Sequence, residues 1–334
     1  MSSIPVSFKA FRVHADKSGV SAGVETLSLS DLTPGEVIVK GEWSSINYKD
    51  ALAATGAGKI LRSSPLVGGV DIAGTVIRSD DPLLKEGDKV LMNGGGLSEV
   101  RDGGFTEVAS LPAGGPIPIP AGLSTRDAML IGTAGFTAAY AIHRMELNGQ
   151  KPANGKVAVT GATGGVGSMA IDMLAGLGYE VSAMSTKGGE QDEYLKGLGA
   201  SEILKLSDVD FGSRPLERGV WAGAIDNLGG ETLAGLIRCA QPDANIAAIG
   251  LAQGFKVDTT VMPFILRGVN LLGINSVDAS REIRTTVWNR IADDLKPRHL
   301  PAIDTQEVTL DTLGDAMQPY IDGKVTGRTL VKLS

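Results

Sequence analysis

The segment Val159–Ser168, VTGATGGVGS, carries the residue types of a turn that holds phosphates. Val157 to Thr160 is a short buried-strand signal, and Val166 to Leu177 reads as a helix with Asp172 as its only charged residue. A glycine loop joining strand to helix is the setting a dinucleotide fingerprint requires. Gly164 would let the backbone approach a pyrophosphate, and Gly167 would let the helix pack closely on the sheet. Ala162, Thr163, Gly164, Gly165, Val166 and Gly167 are therefore the expected cradle, with free N–H groups at the helix start facing the phosphates. Alanine at 162 replaces the first glycine of the pattern, a modest departure because that position mainly serves a tight turn. The competing reading is a packing turn that binds nothing.

The end of the next strand selects between cofactors. NAD-specific sites place Asp or Glu there, to accept from the ribose 2′-hydroxyl. Here the strand ends Ala183-Met184-Ser185-Thr186-Lys187-Gly188, with no acid before Glu190. Two hydroxyls and an ammonium suit a 2′-phosphate, which a carboxylate would repel. Ser185, Thr186 and Lys187 thus point to NADPH over NADH.

The elements that must position these residues fall into two styles. The first ~130 residues read as short strands punctuated by glycine and proline. GEVIVKGEWSSIN, VDIAGTVIRS, DKVLMN and GFTEVAS are strand candidates with no evident parallel crossover, so an irregular antiparallel barrel is expected. STRDAMLIGTAGFTAAYAIHRM reads as a helix with Ser124 or Thr125 as N-cap. From Lys156 strands and helices alternate, which predicts a parallel sheet covered by helices. After Ser276 comes the helix ASREIRTTVWNRIADDL, and TGRTLVKLS is a final strand candidate. The expected fold is α/β, a Rossmann-like parallel-sheet domain inserted into a mostly antiparallel one. Its boundaries are expected at 1–130, 131–277 and 278–334.

Hydrophobic content of 43% with 21% charged residues describes an ordinary globular chain. A net charge of −7 argues against a general nucleic-acid surface. The N-terminal segment is too polar for a signal peptide, and no apolar run approaches the ~20 residues of a membrane span. Cys239 stands alone, so no internal disulfide forms; a cytoplasmic location is expected.

Separated motifs in a fixed order resemble the medium-chain dehydrogenase/reductase superfamily. They are SINYKDALAATG, PLVGGVDIAGTV, EGDKV, GTAGFTAAYAI and the glycine loop. RPLERGVWAGAIDNLGG, VMPFILRGVNLLGINSV and GRTLVKL narrow the resemblance to its zinc-independent, quinone oxidoreductase-like branch and the acryloyl-CoA reductase subgroup. It covers nearly the whole chain and implies a Rossmann domain set in a GroES-like domain. Zinc-dependent relatives hold catalytic metal with cysteine and histidine. This chain has Asn47 and Tyr48 where they place a ligand cysteine, and His14, His143 and His299 are far apart. No metal is expected.

The resemblance implies NADPH-dependent reduction of acryloyl-CoA to propanoyl-CoA. Hydride would reach the β-carbon of the unsaturated thioester while hydrogen-bond donors stabilise the enolate oxygen. It puts Tyr48 beside the nicotinamide, to orient cofactor or substrate or to deliver the proton; an interface-packing aromatic is the alternative. Asp50 would orient Lys49 or local backbone, or simply be a buried structural carboxylate. Asn93 would donate to a thioester carbonyl or pantetheine group, although NGGG also suits a turn. The glycine-rich LMNGGGLSEVRDGG departs from the family, in which a tryptophan is expected nearby. Arg328 would pair with a phosphate of CoA or NADPH, or form a surface salt bridge. Leu251, Ile265 and Ser276 are carried over as nicotinamide contacts. A homodimer is implied, through an edge strand such as VNLLGINS. Two other functions fit the same residues, an NADPH:quinone oxidoreductase and a non-catalytic NADPH-binding sensor.

Overall fold

The computed structural model describes residues 4–334, so the first three residues of the expected 1–130 segment lie outside it. In chain order the elements begin with the hairpin β1 (Phe8–Asp16) and β2 (Gly19–Leu27), then β3 (Val37–Ser45) and α1 (Tyr48–Thr55). β4 (Leu66–Val67), β5 (Asp71–Ser79), β6 (Lys89–Asn93), β7 (Val108–Leu111) and β8 (Ile117–Pro118) follow. Next come α2 (Thr125–Leu147), β9 (Val157–Thr160), α3 (Gly165–Gly176), β10 (Val181–Ser185), α4 (Asp192–Gly197) and β11 (Glu202–Lys205). β12 (Trp221–Asp226), α5 (Gly230–Arg238), β13 (Ala240–Ala248), α6 (Met262–Arg267) and β14 (Asn270–Gly273) continue the alternation. The chain ends with α7 (Arg281–Ala292), α8 (Leu300–Ile303), β15 (Asp304–Thr309), α9 (Gln318–Ile321) and β16 (Arg328–Lys332).

Two compact units result. The first comprises Met1–Thr133, Ser276–Ala292 and Asp304–Ser334; the second, Ala134–Asn275 and Asp293–Ile303. The stretch 293–303 therefore groups with the second unit, inside the tail that the sequence assigned as one piece over 278–334.

In the first unit a sheet of order β15-β16-β3-β5-β6-β8, with β7 also on β3, accompanies a three-stranded sheet β2-β1-β4. Every pairing is antiparallel except β15 with β16. Among the described residues the strands pair as two sheets, which an antiparallel bridge between Ala10 and Thr106 joins. Alternation supplies the core: Val37 and Val39 of β3, Ile72 and Val76 of β5 and Val331 of β16 are buried with Phe11 and Phe105. The two rings meet edge to face with centroids 6.3 Å apart.

The second unit is a six-stranded parallel sheet of order β11-β10-β9-β12-β13-β14. Strand order reverses beside β9, so the carboxyl ends of β9, β10 and β12 surround the crevice where such sheets hold ligands. Leu233, Leu236 and Ile237 of α5 pack with Ala158, Ala224 and Ile246 of the strands.

Sequence and structure part at α1, β11 and β15, which lack a clear periodic signal, and inside α2. There Gly132 breaks the helix with φ +50° and ψ −157°. A Cβ at Gly132 would meet the Arg328 guanidinium, Asp71 Oδ2 and Ser45 Oγ at 2.6–2.7 Å, so only glycine fits.

Candidate active site

In the second unit the glycine loop leaves β9 at Gly161 and enters α3 at Gly165. The left-handed residue of the turn is Gly161, at φ +59°. Ala162 follows it without a positive φ, so alanine there strains nothing. Ala162 is fully buried and its N–H donates to Met184 O at 3.1 Å. The N–H of Gly164 is likewise engaged, by Gly161 O at 3.0 Å. The available donors are the orphan amides of the first turn of α3. No side chain caps that helix end, whose N-cap residue is Gly164. An uncapped helix N-terminus at the carboxyl edge of a parallel sheet fits a pyrophosphate.

Gly167 is set by packing. A Cβ there would overlap the Gly161 carbonyl oxygen and lie 2.8 Å from Ala162 Cα, both backbone atoms that cannot yield. Gly167→Ala should therefore cost about 1–3 kcal/mol of stability. Gly197→Ala, where nothing lies within 4 Å, should be neutral or slightly stabilising. Comparing urea unfolding of the two variants checks this, and equal midpoints would refute it.

Sequence reading missed the brace beneath the loop. Thr160 Oγ1 donates to Asp226 Oδ1 at 2.7 Å and accepts from the Asn227 N–H at 2.9 Å. Asn227 Nδ2 donates to Thr160 O at 2.7 Å, tying β9 to the end of β12. Burial raises the Asp226 carboxyl above its ordinary value, against the bonds from Thr160 and Gly229.

Ser185 ends β10 and is buried, its Oγ accepting from the Lys187 N–H at 3.1 Å. Thr186 is exposed and Lys187 half-buried, and burial draws the Lys187 ammonium below its ordinary pKa. Leu251, in the loop after β13, and Ile265, on α6, are 64% and 71% exposed. Ser276 follows β14 and groups with the first unit.

The first unit contains a buried polar centre that sequence spacing did not reveal. Asp71, at the start of β5, accepts from Ser45 Oγ at 2.8 Å, Asn47 Nδ2 at 2.7 Å and Thr133 Oγ1 at 2.6 Å. Arg328 enters from β16, with Nη2 3.7 Å from Asp71 Oδ2. Its other contacts are Leu130 O at 3.1 Å, Ile46 O and Asn47 Oδ1 both at 3.0 Å, and Ser45 Oγ at 2.6 Å. Arg328 is 2% exposed and all its nitrogens are engaged. The expected role as a phosphate ligand is corrected: the guanidinium ties β3, β5 and α2 together.

This centre sets the start of α1. The Asn47 N–H donates to Asp50 Oδ2 at 2.8 Å, and the Val70 N–H to Asp50 Oδ1 at 3.0 Å. Burial pushes the Asp50 carboxyl up to about 7; the bond from Asn47 opposes this and the Asp71 charge adds to it. Asp50 is a structural carboxylate of the helix start, and Lys49 pairs instead with Glu99. Tyr48, the first residue of α1, is 44% exposed.

Asn93 ends β6 and is 1% exposed. Its Oδ1 accepts from the indole N–H of Trp288, on α7, at 3.1 Å. An indole nitrogen only donates, so the amide orientation is fixed. Nδ2 is left buried without a hydrogen-bond partner. Trp288 and Asn93 are 195 residues apart in the chain, so this contact could not be read from the local segment.

Two family models match the chain. One, described as alcohol dehydrogenase GroES-like domain, covers residues 33–121; the other, described as zinc-binding dehydrogenase, covers 165–293. The residues present do not fit zinc. Among those described, no group of three or more His, Cys, Asp or Glu side chains could hold a metal ion. Both polar atoms of the Asn47 amide are engaged by Asp71 and Arg328.

The "Putative quinone oxidoreductase YhfP" of Bacillus subtilis is 45% identical over 327 residues, 98% of this chain and 99% of that one. Its crystal structure, solved with NAD bound, superposes with a TM-score of 0.95 at 44% identity, covering 98% of this chain and 100% of that one. "Acrylyl-CoA reductase AcuI" of Ruegeria pomeroyi is 43% identical over 330 residues, 98% of this chain and 99% of that one. The yhdH oxidoreductase of Salmonella enterica, crystallised with NADP, gives a TM-score of 0.94 at 44% identity, over 98% of this chain and 100% of that one.

Proposed function

The chain belongs to the medium-chain dehydrogenase/reductase superfamily, in the quinone oxidoreductase-like branch and acryloyl-CoA reductase subgroup, and on that premise we propose that it reduces acryloyl-CoA to propanoyl-CoA with NADPH. The observation that carries this reading is the Asn93 amide, whose N–H₂ is buried, oriented and without a partner. Bound NADPH supplies a hydride, which forms the new C–H bond at the β-carbon. Asn93 Nδ2 donates to the thioester oxygen as negative charge gathers there, an effect worth about 10²–10³ in rate. Tyr48 delivers the proton to the α-carbon. No metal takes part.

NADPH is favoured by Ser185, Thr186 and Lys187, which leave no carboxylate at the end of β10. The relative solved with NAD makes this choice worth measuring on this chain itself. A second copy would pair along β14, the edge strand, where Leu271 is 42% exposed. No helix among the described residues is long and apolar enough to cross a membrane, and a cytoplasmic setting belongs to the same proposal.

The test is oxidation of NADPH, and separately NADH, with acryloyl-CoA, crotonyl-CoA and a benzoquinone in parallel. Turnover of acryloyl-CoA with a marked preference for NADPH is expected. Turnover with the quinone alone would replace the acyl-CoA assignment, as the name of the Bacillus relative suggests. NADPH binding without turnover of any acceptor would favour a sensor, and equal use of both nucleotides would sink the cofactor assignment.

A further inference from the structure

Two adjoining cavities of about 410 and 530 Å³ lie on the first unit and share Lys59, Ile60, Leu61 and Arg62. Their volumes fall in the range of small-molecule sites. Four cations line them, Lys17, Lys49, Lys59 and Arg62, against two carboxylates, Asp16 and Glu99. Both carboxylates are already engaged. Glu99 pairs with Lys49, and Asp16 accepts from the N–H and hydroxyl of Ser18 within the β1–β2 turn. Lys17, Lys59 and Arg62 are exposed and, among the described residues, make no side-chain hydrogen bond or ion pair. Ala53 is buried, and Ile60 and Leu61 half-buried, so the same groove offers an apolar floor. Three unpaired cations in one groove stand out on a chain of net charge −7.

The groove starts at Lys49, the residue after Tyr48, and continues past the end of α1 at Gly56 and Gly58. An eight-residue helix is about 12 Å long. The groove thus runs alongside the helix from the residue after Tyr48, with Lys59 and Arg62 lining both cavities and Lys17 at its far end. Such a layout suits a ligand whose anionic end is joined to its reacting end by a long arm. A quinone has no phosphate-bearing end to set against these cations.

We propose that this groove binds the phosphate-bearing nucleotide end of the acyl-CoA substrate, with Lys59 and Arg62 pairing with its phosphates and Ile60 and Leu61 lying against its base. The inference rests on the acyl-CoA reading of the function, and its test separates the two. Arg offers a planar fork for phosphate oxygens and Lys a point charge, so the pair serves both geometries.

The experiment compares wild type with the double variant Lys59→Ala/Arg62→Ala on acryloyl-CoA and on acryloyl-pantetheine, which has the same reacting group and no nucleotide. KM for acryloyl-CoA should rise about tenfold or more with kcat retained, while the pantetheine thioester shows no change. The charge-conserving variant Lys59→Arg/Arg62→Lys should recover most of the loss. An equal KM rise for both thioesters, or no rise for acryloyl-CoA, overturns the proposal. If wild type reduces neither thioester, the functional reading has failed, and the groove is judged by calorimetry with adenosine 3′,5′-bisphosphate under saturating NADP⁺. Binding lost in the Ala variant supports the groove; absent binding, or binding equal in both proteins, overturns it.

Discussion

Replacing Arg328 by methionine should destabilise the first unit by about 3–5 kcal/mol, the cost of breaking a buried ion pair from one side. Asp71 would remain, fully buried, without its only cationic neighbour among the described contacts. Leu130 O and Ile46 O would each lose a donor as well. Methionine roughly fills the volume, so the loss reports charge and hydrogen bonding more than a cavity. Urea unfolding measures it, and the cycle with Asp71→Asn refines it. The double variant should be less destabilised than the sum of the single ones, because the asparagine removes the stranded charge. Had Arg328 been a phosphate ligand, the midpoint would stay near wild type and the NADPH dissociation constant would rise instead. That opposite pattern would overturn the structural reading.

Removing the Tyr48 hydroxyl should do the reverse, leaving the fold alone and slowing the chemistry. Tyr48→Phe is expected to lower kcat by about 10²–10³, the range of a lost general acid. KM for NADPH should change little. Stability should stay within about 0.5 kcal/mol, since the side chain is 44% exposed and its hydroxyl makes no hydrogen bond among the described residues. The helix start that carries it is fixed independently by Asp50, which accepts from the Asn47 and Val70 amides. Wild-type turnover in the variant would remove Tyr48 from the mechanism. A fall in stability of several kcal/mol would recast it as a packing residue.

The two predictions divide residues that the sequence treats alike. Tyr48 in SINYKD and Arg328 in TGRTL are each a polar side chain in a family motif, and both read as groups that touch ligand. Only their surroundings separate them. Arg328 meets carbonyls and side chains from β3 and α2, at sequence separations of 198 to 283 residues. Asn93 shows the same dependence in the other direction. NGGG looks like a turn, and only the indole of Trp288 shows that its amide is fixed with one N–H₂ left over.

What the sequence determined by itself is local or periodic: the strand-loop-helix around VTGATGGVGS, the parallel domain, the antiparallel one, and the lack of an acid at the end of β10. Those features depend on neighbours within a few turns of chain, where backbone preferences and hydrophobic periods act. Even there, tertiary structure decided that Gly161 and not position 162 takes the left-handed turn, and that the Ala162 amide belongs to Met184. It also gathered Lys17, Lys59 and Arg62 from a hairpin turn and the segment after α1 into one groove. A donor's role depends on which acceptors reach it, and folding brings those acceptors from hundreds of residues away. For this reason the cofactor loop could be read from the chain, while Arg328 could be assigned only in the folded protein.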